Sequence, residues 1–135
     1  MSPKKLIQTF YESDLANDLS LIEKFYHQDC KVYWNSSLGF RERDFTGVYN
    51  FFKGITESYN NLRFQLSHLL SDGNQVTTRY TLYAKTIEST EEEIPLAHYM
   101  SIIEIKDDKI YRVYEMSQPA DHDTLNSNAF NKINS

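Results

Sequence analysis

The last quarter of the chain carries the polar residues best suited to acid–base chemistry. Arg112 and Glu115 lie three positions apart on an expected strand, so their side chains point to opposite faces of the sheet. A carboxyl group in an apolar pocket has a raised pKa and can act as a general acid or base. A buried guanidinium would instead favour an anionic or carbonyl-bearing ligand. Either residue could provide the charged group of a pocket.

The turn at residues 107–108 decides between these alternatives. A two-residue turn pairs Ile103 with Arg112 on the concave face of the sheet. The same register pairs Ser101 with Tyr114. A one-residue bulge exchanges the two faces of the second strand, because side chains alternate with period two. The glutamate would then enter the cavity and the arginine would leave it.

A second candidate for proton transfer is His68, which alternates along its strand with Phe64 and Leu66. This spacing predicts that the imidazole lies on the apolar side of the strand. Together with the carboxyl group described above, the candidate catalytic residues are His68 and Glu115. Aromatic rings and hydroxyl groups can provide ligand contacts by packing and hydrogen bonding. The candidate ligand-binding residues are Trp34, Phe64, Tyr80, Tyr99, Ser101, Arg112 and Tyr114.

Metal and cofactor chemistry find little support in the sequence. His27, Asp29 and Cys30 lie close together, but no second cluster completes a tetrahedral metal site. The chain has no glycine-rich phosphate loop. We therefore expect neither a metal nor a cofactor.

The elements that must position these residues follow from periodicity, caps and turn residues. Helical spacing predicts three helices, all in the N-terminal half of the chain. Alternating segments predict strands around them, with a solvated acidic loop at 88–93. The expected helices cover 3–13, 18–26 and 46–59, and the expected strands cover 31–35, 40–44, 62–70, 76–86, 98–105 and 109–117.

Length, charge and cysteine content limit the class of protein. The 135 residues predict one domain over 1–118, followed by a polar, loosely ordered tail over 119–135. The net charge of −5 and the scattered basic residues argue against nucleic-acid and membrane partners. A single cysteine, with no apolar signal segment at the start, predicts a cytoplasmic protein.

The order α-α-β-β-α followed by four antiparallel strands resembles the SnoaL-like branch of the nuclear-transport-factor-2-like superfamily. The resemblance covers about residues 4–118 and is carried by NDLSLIEKFYHQDCKVYW, FTGVYNFFKGITESY and IIEIKDDKIYRVYE. It implies an α+β fold in which three helices pack on a curved, mainly antiparallel sheet and form a cone with a central cavity. Members of the superfamily include polyketide cyclases, ketosteroid isomerases, dehydratases, epoxide hydrolases and proteins without known activity.

The resemblance also implies which reaction to exclude. Ketosteroid isomerases use a tyrosine where this chain has Phe10 and an aspartate base where it has Trp34. Their second acid falls at or beside Ser101. A phenyl ring cannot donate a hydrogen bond and an indole cannot accept a proton, so that mechanism is excluded. SnoaL-like cyclases use a carboxylate near the end of the sheet, for which Glu115 and Asp121 are the candidates.

Two hypotheses for function remain open. The chain could be a cofactor-independent acid–base enzyme of the cyclase, isomerase or dehydratase type, acting on a hydrophobic carbonyl compound. Alternatively, it could be a non-catalytic module that binds a small molecule or a protein. We also expect a homodimer, because Met100, Ile102 and Val113 would form an apolar patch on the outer face of the sheet.

Overall fold

The computed structural model describes residues 1–126 and confirms the predicted α+β class. Helices of the N-terminal half pack on one curved, unclosed sheet. The elements are α1 (Pro3–Glu12), α2 (Ser20–Phe25), β1 (Tyr26–Ser36), β2 (Gly39–Arg43), α3 (Phe45–Ser58), β3 (Tyr59–Asp72), β4 (Gln75–Thr86), β5 (Glu93–Lys106), β6 (Lys109–Pro119) and α4 (His122–Leu125).

The sheet contains six strands in the order β2-β1-β6-β5-β4-β3. Strands β3 to β6 form a continuous antiparallel meander, and β1 pairs with β6 in parallel. The parallel pairing brings the first and last strands together in the middle of the sheet. Residues from both ends of the sequence therefore meet on one concave face.

Side-chain caps fix the starts of α1 and α3. Ser2 accepts a hydrogen bond from the backbone N–H of Lys5 at 3.1 Å, and Pro3 occupies the first turn, where its missing N–H is tolerated. Asp44 caps α3 by accepting from the N–H of Gly47 at 2.9 Å. The helix therefore begins at Phe45, one residue before the expected start at residue 46.

The apolar faces of α1, α2 and α3 form a core with the concave face of the sheet. Ile7, Ile22 and Phe25 are almost completely buried there, and Val48 joins them from α3. Amphipathic helices gain most of their stability from packing of this kind. None of the helices described between residues 1 and 126 combines the length and the hydrophobicity of a membrane-spanning segment.

A bulge near the last hairpin decides which side chains face the core. Asp107 and Asp108 have φ angles of 54° and 59°, as in the two-residue turns that suit the twist of a hairpin. The register then shifts by one residue between Ile105 and Glu104, leaving Tyr111 without a partner in β5. Arg112 therefore pairs with Glu104 rather than with Ile103, so the structure has the bulged register, one of the two alternatives that the sequence left open.

A second bulge lies in β3. Leu66 pairs with Tyr80 and His68 pairs with Arg79, so Ser67 is the extra residue. Because one inserted residue reverses the alternation, His68 no longer shares a face with Leu66. The predicted position of His68 on the apolar face is therefore wrong.

The chain after β6 has more structure than we expected. Asp121 caps α4 by accepting from the N–H of Thr124 at 2.9 Å. The Thr124 hydroxyl lies 3.1 Å from Nε2 of His98, which attaches this short helix to β5. The rest of the predicted tail, residues 127–135, lies outside the described residues.

Candidate functional site

A pocket of about 90 Å³ lies between the helices and the concave face of the sheet. This is several times the ~10–15 Å³ that admits one water molecule. Its walls are mainly aromatic and aliphatic. The described lining residues are Phe10, Tyr11, Tyr26, Val32, Trp34, Arg43, Val48, Phe51, Phe52, Ile55, Leu62, Phe64, Tyr80, Leu82, Tyr99, Ile103, Ile110, Val113 and Glu115.

Glu115 provides the carboxyl group of this pocket. The bulge at Tyr111 places Glu115 opposite Ser101, whose hydroxyl donates a hydrogen bond to the carboxyl at 3.1 Å. Burial among apolar side chains raises the pKa of Glu115 to about 7, although the Ser101 hydrogen bond and the positive charge of Arg43 oppose this rise. Near neutral pH the group can therefore either accept or donate a proton.

Phenol groups surround the carboxyl. The rings of Tyr11 and Tyr80 lie 5.0 Å apart, and the ring of Tyr80 stacks on that of Tyr99 at the same distance. Burial, followed by the nearby charge of Glu115, raises the pKa of Tyr99. The pKa of Tyr80 is also raised, primarily by burial. These hydroxyls stay protonated at neutral pH, so they can donate hydrogen bonds to a ligand oxygen.

Trp34 forms the wall next to Glu115. The two residues are paired in the parallel ladder between β1 and β6. The indole N–H donates to the Ser117 hydroxyl at 2.8 Å, so this donor already has an acceptor. Trp34 therefore offers a ligand its ring surface rather than a free hydrogen-bond donor.

Arg43 is the second charged residue among the described lining residues, and our sequence analysis missed it. It ends β2, where its partner is Val32 on β1. The guanidinium lies over the Trp34 ring at 5.1 Å and over the Phe51 ring at 4.7 Å. The sequence GFRER has no apolar alternation that could assign a face to this strand. The one available signal was alternation of Val32 and Trp34 on the neighbouring strand.

The structure brings together six of the nine predicted site residues. Five of them line the pocket, and Ser101, which is 1% exposed, contacts the carboxyl behind it. The five are Trp34, Phe64, Tyr80, Tyr99 and Glu115. Val113, expected on the outer face, also lines the pocket.

The other three predicted site residues lie away from the pocket. Arg112 donates to the backbone carbonyl of Asp29 at 2.8 Å and packs over the ring of Tyr111. Tyr114 is exposed, and His68 lies beside Ser67 with 2.9 Å between Nδ1 and the hydroxyl. None of the three is among the lining residues.

The described residues support neither a metal site nor a cysteine nucleophile. Among residues 1–126, no cluster of three or more His, Cys, Asp or Glu side chains could hold a metal ion. Cys30 is buried, and burial followed by the negative charge of Asp44 raises the pKa of its thiol to about 11. A thiol with that pKa is a poor nucleophile at neutral pH.

The outer face of the sheet carries an exposed apolar surface, which we call the outer patch. One cross-strand row runs from Tyr33 through Tyr114 to Ile102, and the rings of Tyr33 and Tyr114 stack at 5.3 Å. Further large side chains extend this row on both sides, and the members other than Tyr33 are between 45% and 68% exposed. The outer patch consists of Tyr33, Phe40, Leu70, Met100, Ile102, Tyr114 and Met116.

Several solved structures share this fold. IdmH, a proposed polyketide cyclase from Streptomyces antibioticus, is 15% identical with a TM-score of 0.68, over 87% of this chain and 92% of that chain. A proposed SnoaL-like polyketide cyclase from Shewanella denitrificans OS-217 is 11% identical with a TM-score of 0.66, over 91% of this chain and 93% of that chain. AclR, a proposed hydroxylase from Streptomyces galilaeus, is 17% identical with a TM-score of 0.65, over 87% of this chain and 79% of that chain.

These low identities establish a shared fold rather than a shared reaction. No curated protein matches the chain. The family comparison is more direct, because residues 7–113 match the model of the SnoaL-like domain. This match includes the second half of α1, all of α2 and α3, and most of the sheet. The chain therefore belongs to the SnoaL-like domain family.

Proposed function

We propose that this protein binds a small hydrophobic carbonyl compound in the pocket and transfers a proton on it through Glu115. The observation that carries this proposal is a carboxyl group of pKa about 7 on an aromatic pocket wall. Efficient general acids and bases have pKa values close to the working pH. The shared fold with proposed polyketide cyclases supports the same class of chemistry.

The proposed reaction starts with ionised Glu115. Its carboxylate takes a proton from the carbon beside the substrate carbonyl, the C–H bond breaks, and the electron pair moves onto the carbonyl oxygen. The hydroxyls of Tyr80 and Tyr99 are the available donors for the resulting enolate, since the Tyr11 hydroxyl is already bonded to that of Thr78 at 3.0 Å. Protonated Glu115 then returns its proton to another carbon, or to the oxygen formed when the enolate attacks a second carbonyl group. These outcomes correspond to isomerisation and cyclisation.

Proton exchange provides a direct test. 2-Tetralone is a hydrophobic ketone with acidic C–H bonds, and its uptake of deuterium from D₂O can be followed by NMR. We expect the protein to accelerate this exchange and Glu115→Gln to abolish the acceleration while keeping the fold. Glu42→Gln is the matched control, since Glu42 is exposed and does not line the pocket.

Two other outcomes discriminate between the hypotheses. Binding of the ketone without faster exchange would favour a non-catalytic ligand-binding module, an alternative consistent with the largely apolar walls. Acceleration that persists in Glu115→Gln would contradict the role of this residue.

We further propose that two copies associate through the outer patch. A two-fold axis places the same surface of both subunits in contact. The row formed by Tyr33, Tyr114 and Ile102 in one subunit would therefore contact the same row of the other subunit. Burial of exposed apolar side chains is the driving force for such association. Sedimentation at micromolar concentration should reveal two chains in the particle.

Our proposed location remains the cytoplasm. The free Cys30 is buried, as expected for a structural thiol with no partner for an internal disulfide. Fractionation of cells producing the protein checks this expectation.

A further inference from the structure

We infer that Arg43 is the anion-binding residue of the pocket and that the natural ligand is a hydrophobic molecule bearing a carboxylate. The inference rests on the proposed ligand-binding function and adds the chemical class of the ligand. It depends on three observations. Strand β2 places the guanidinium at the pocket, two aromatic rings contact it, and it has no anionic partner among residues 1–126.

The position of Arg43 follows from strand pairing. Arg43 faces Val32 across the β1–β2 ladder, and Val32 lines the pocket. Trp34 and Phe51 hold the guanidinium between strand β1 and helix α3, with ring distances of 5.1 Å and 4.7 Å. Stacking on aromatic rings orients the plane of a guanidinium and leaves its N–H groups free to form hydrogen bonds at the edge.

The guanidinium has no anionic partner among residues 1–126. The salt bridges in this part of the chain join His27 to Asp107 and Arg63 to Glu93, and Arg43 forms no hydrogen bond within it. Arg43 is half-buried, so its five donors are partly removed from water without protein acceptors in return. A charged group in that position favours a ligand that supplies the missing oxygen atoms.

Glu115 does not neutralise this cation by direct contact. The two residues are close enough for the positive charge of Arg43 to lower the pKa of Glu115, but they form no salt bridge. The pocket thus offers separate polar positions: a guanidinium for an anion, and a carboxyl for proton transfer. Apolar walls between and around them would hold the hydrophobic part of the ligand.

A matched pair of probes isolates the charge. 3-Phenylpropanoate and 3-phenylpropanamide have nearly the same shape, and only the first is an anion. Binding is measured by NMR titration at pH 6, where the probe carboxylate is ionised and Glu115 is mostly protonated. We expect the full-length protein to bind the carboxylate roughly 10- to 100-fold more tightly, as for a hydrogen-bonded ion pair away from bulk water.

Variants of two arginines on β2 separate a specific contact between Arg43 and the carboxylate from the effect of the protein's overall charge. Arg43→Gln should reduce the preference to less than about 3-fold, since a neutral amide gives no charge-assisted bond. Arg43→Lys should retain part of it, because lysine keeps the charge but loses the planar fork. Arg41→Gln removes the same charge from an exposed residue outside the pocket, so the preference should remain. Circular dichroism checks that each variant is folded.

Each remaining outcome has a defined meaning. Equal binding of both probes would overturn the role of Arg43 and leave the ligand-binding function intact. A preference that survives in folded Arg43→Gln and Arg43→Lys alike would place the anion site elsewhere. Failure of both probes to bind at millimolar concentration would contradict the ligand-binding function itself, and this inference with it.

Discussion

Ser101 donates a hydrogen bond to the Glu115 carboxyl across neighbouring strands, with 3.1 Å between the oxygen atoms. The bond exists because Tyr111 is an extra residue in β6, which brings Glu115 rather than Tyr114 opposite Ser101. A hydrogen bond to the carboxylate form favours ionisation, while burial opposes it. The balance leaves the pKa of Glu115 at about 7.

The first prediction concerns the pKa of Glu115 itself. Ser101→Ala removes the donor that stabilises the carboxylate, so the pKa should rise above 7. Carboxyl ¹³C NMR titration measures the change. Ser117→Ala is the control, since the Ser117 hydroxyl accepts from Trp34 and is not bonded to Glu115. An unchanged or lowered pKa in Ser101→Ala would contradict the prediction.

The second prediction concerns stability as a function of pH. The folded pKa of about 7 exceeds the ordinary value of 4.5, so the folded state binds the proton more tightly than the unfolded state between these values. The contribution of Glu115 to stability is therefore greatest below about pH 4.5 and falls as the pH rises to 7. Above pH 7 the loss is on the order of 3 kcal/mol.

Glu115→Gln removes this titration. The stability of the variant relative to the parent protein should rise from pH 5 to pH 8, as measured by urea unfolding at each pH. The groups facing Glu115 are Ser101, Arg43 and the hydroxyls of Tyr11, Tyr26, Tyr80 and Tyr99. The pKa values of all four tyrosines are raised, so they remain neutral over this range. A stability difference that does not change with pH would argue against a raised pKa.

A third prediction is the absence of ketosteroid isomerase activity. Phe10 lines the pocket without a hydroxyl, and the Trp34 N–H is already bonded to Ser117. Loss of one oxyanion donor alone lowers kcat by about 100- to 1000-fold in other enzymes. Conversion of 5-androstene-3,17-dione to its conjugated isomer, followed by ultraviolet absorbance, should be at least about 100-fold slower than with a ketosteroid isomerase, because Phe10 and Trp34 occupy the positions of the donor and the base of those enzymes. Rapid conversion would show that Phe10 and Trp34 do not correspond to the tyrosine and the aspartate base of ketosteroid isomerases.

The fourth prediction tests the outer patch. Ile102→Glu places a charge at one end of the Tyr33–Tyr114–Ile102 row, where burial of an unpaired carboxylate in the dimer interface is unfavourable. Analytical ultracentrifugation should show a dimer for the parent protein and a monomer for the variant. Leu38→Glu makes the same kind of change in the turn between β1 and β2, where Leu38 is 87% exposed and outside the patch. That control should remain dimeric, and a monomeric parent protein would refute the proposed dimer.

The order and type of the main elements could be predicted from local sequence. Helical spacing and the turn at Asp107–Asp108 act over a few residues, so they can be interpreted without the tertiary structure. Aromatic residues in the predicted strands likewise indicated much of the pocket wall. Trp34, Phe64, Tyr80 and Tyr99 all line it.

Only the tertiary structure decided which polar groups enter the pocket. Single extra residues at Tyr111 and Ser67 reverse the strand faces, bringing Glu115 in and turning His68 away. Such bulges depend on the register with a neighbouring strand, which local propensity does not specify. Arg43 was missed for a related reason. Its strand has no apolar alternation, so its face is set by pairing with β1 and by stacking on Trp34 and Phe51.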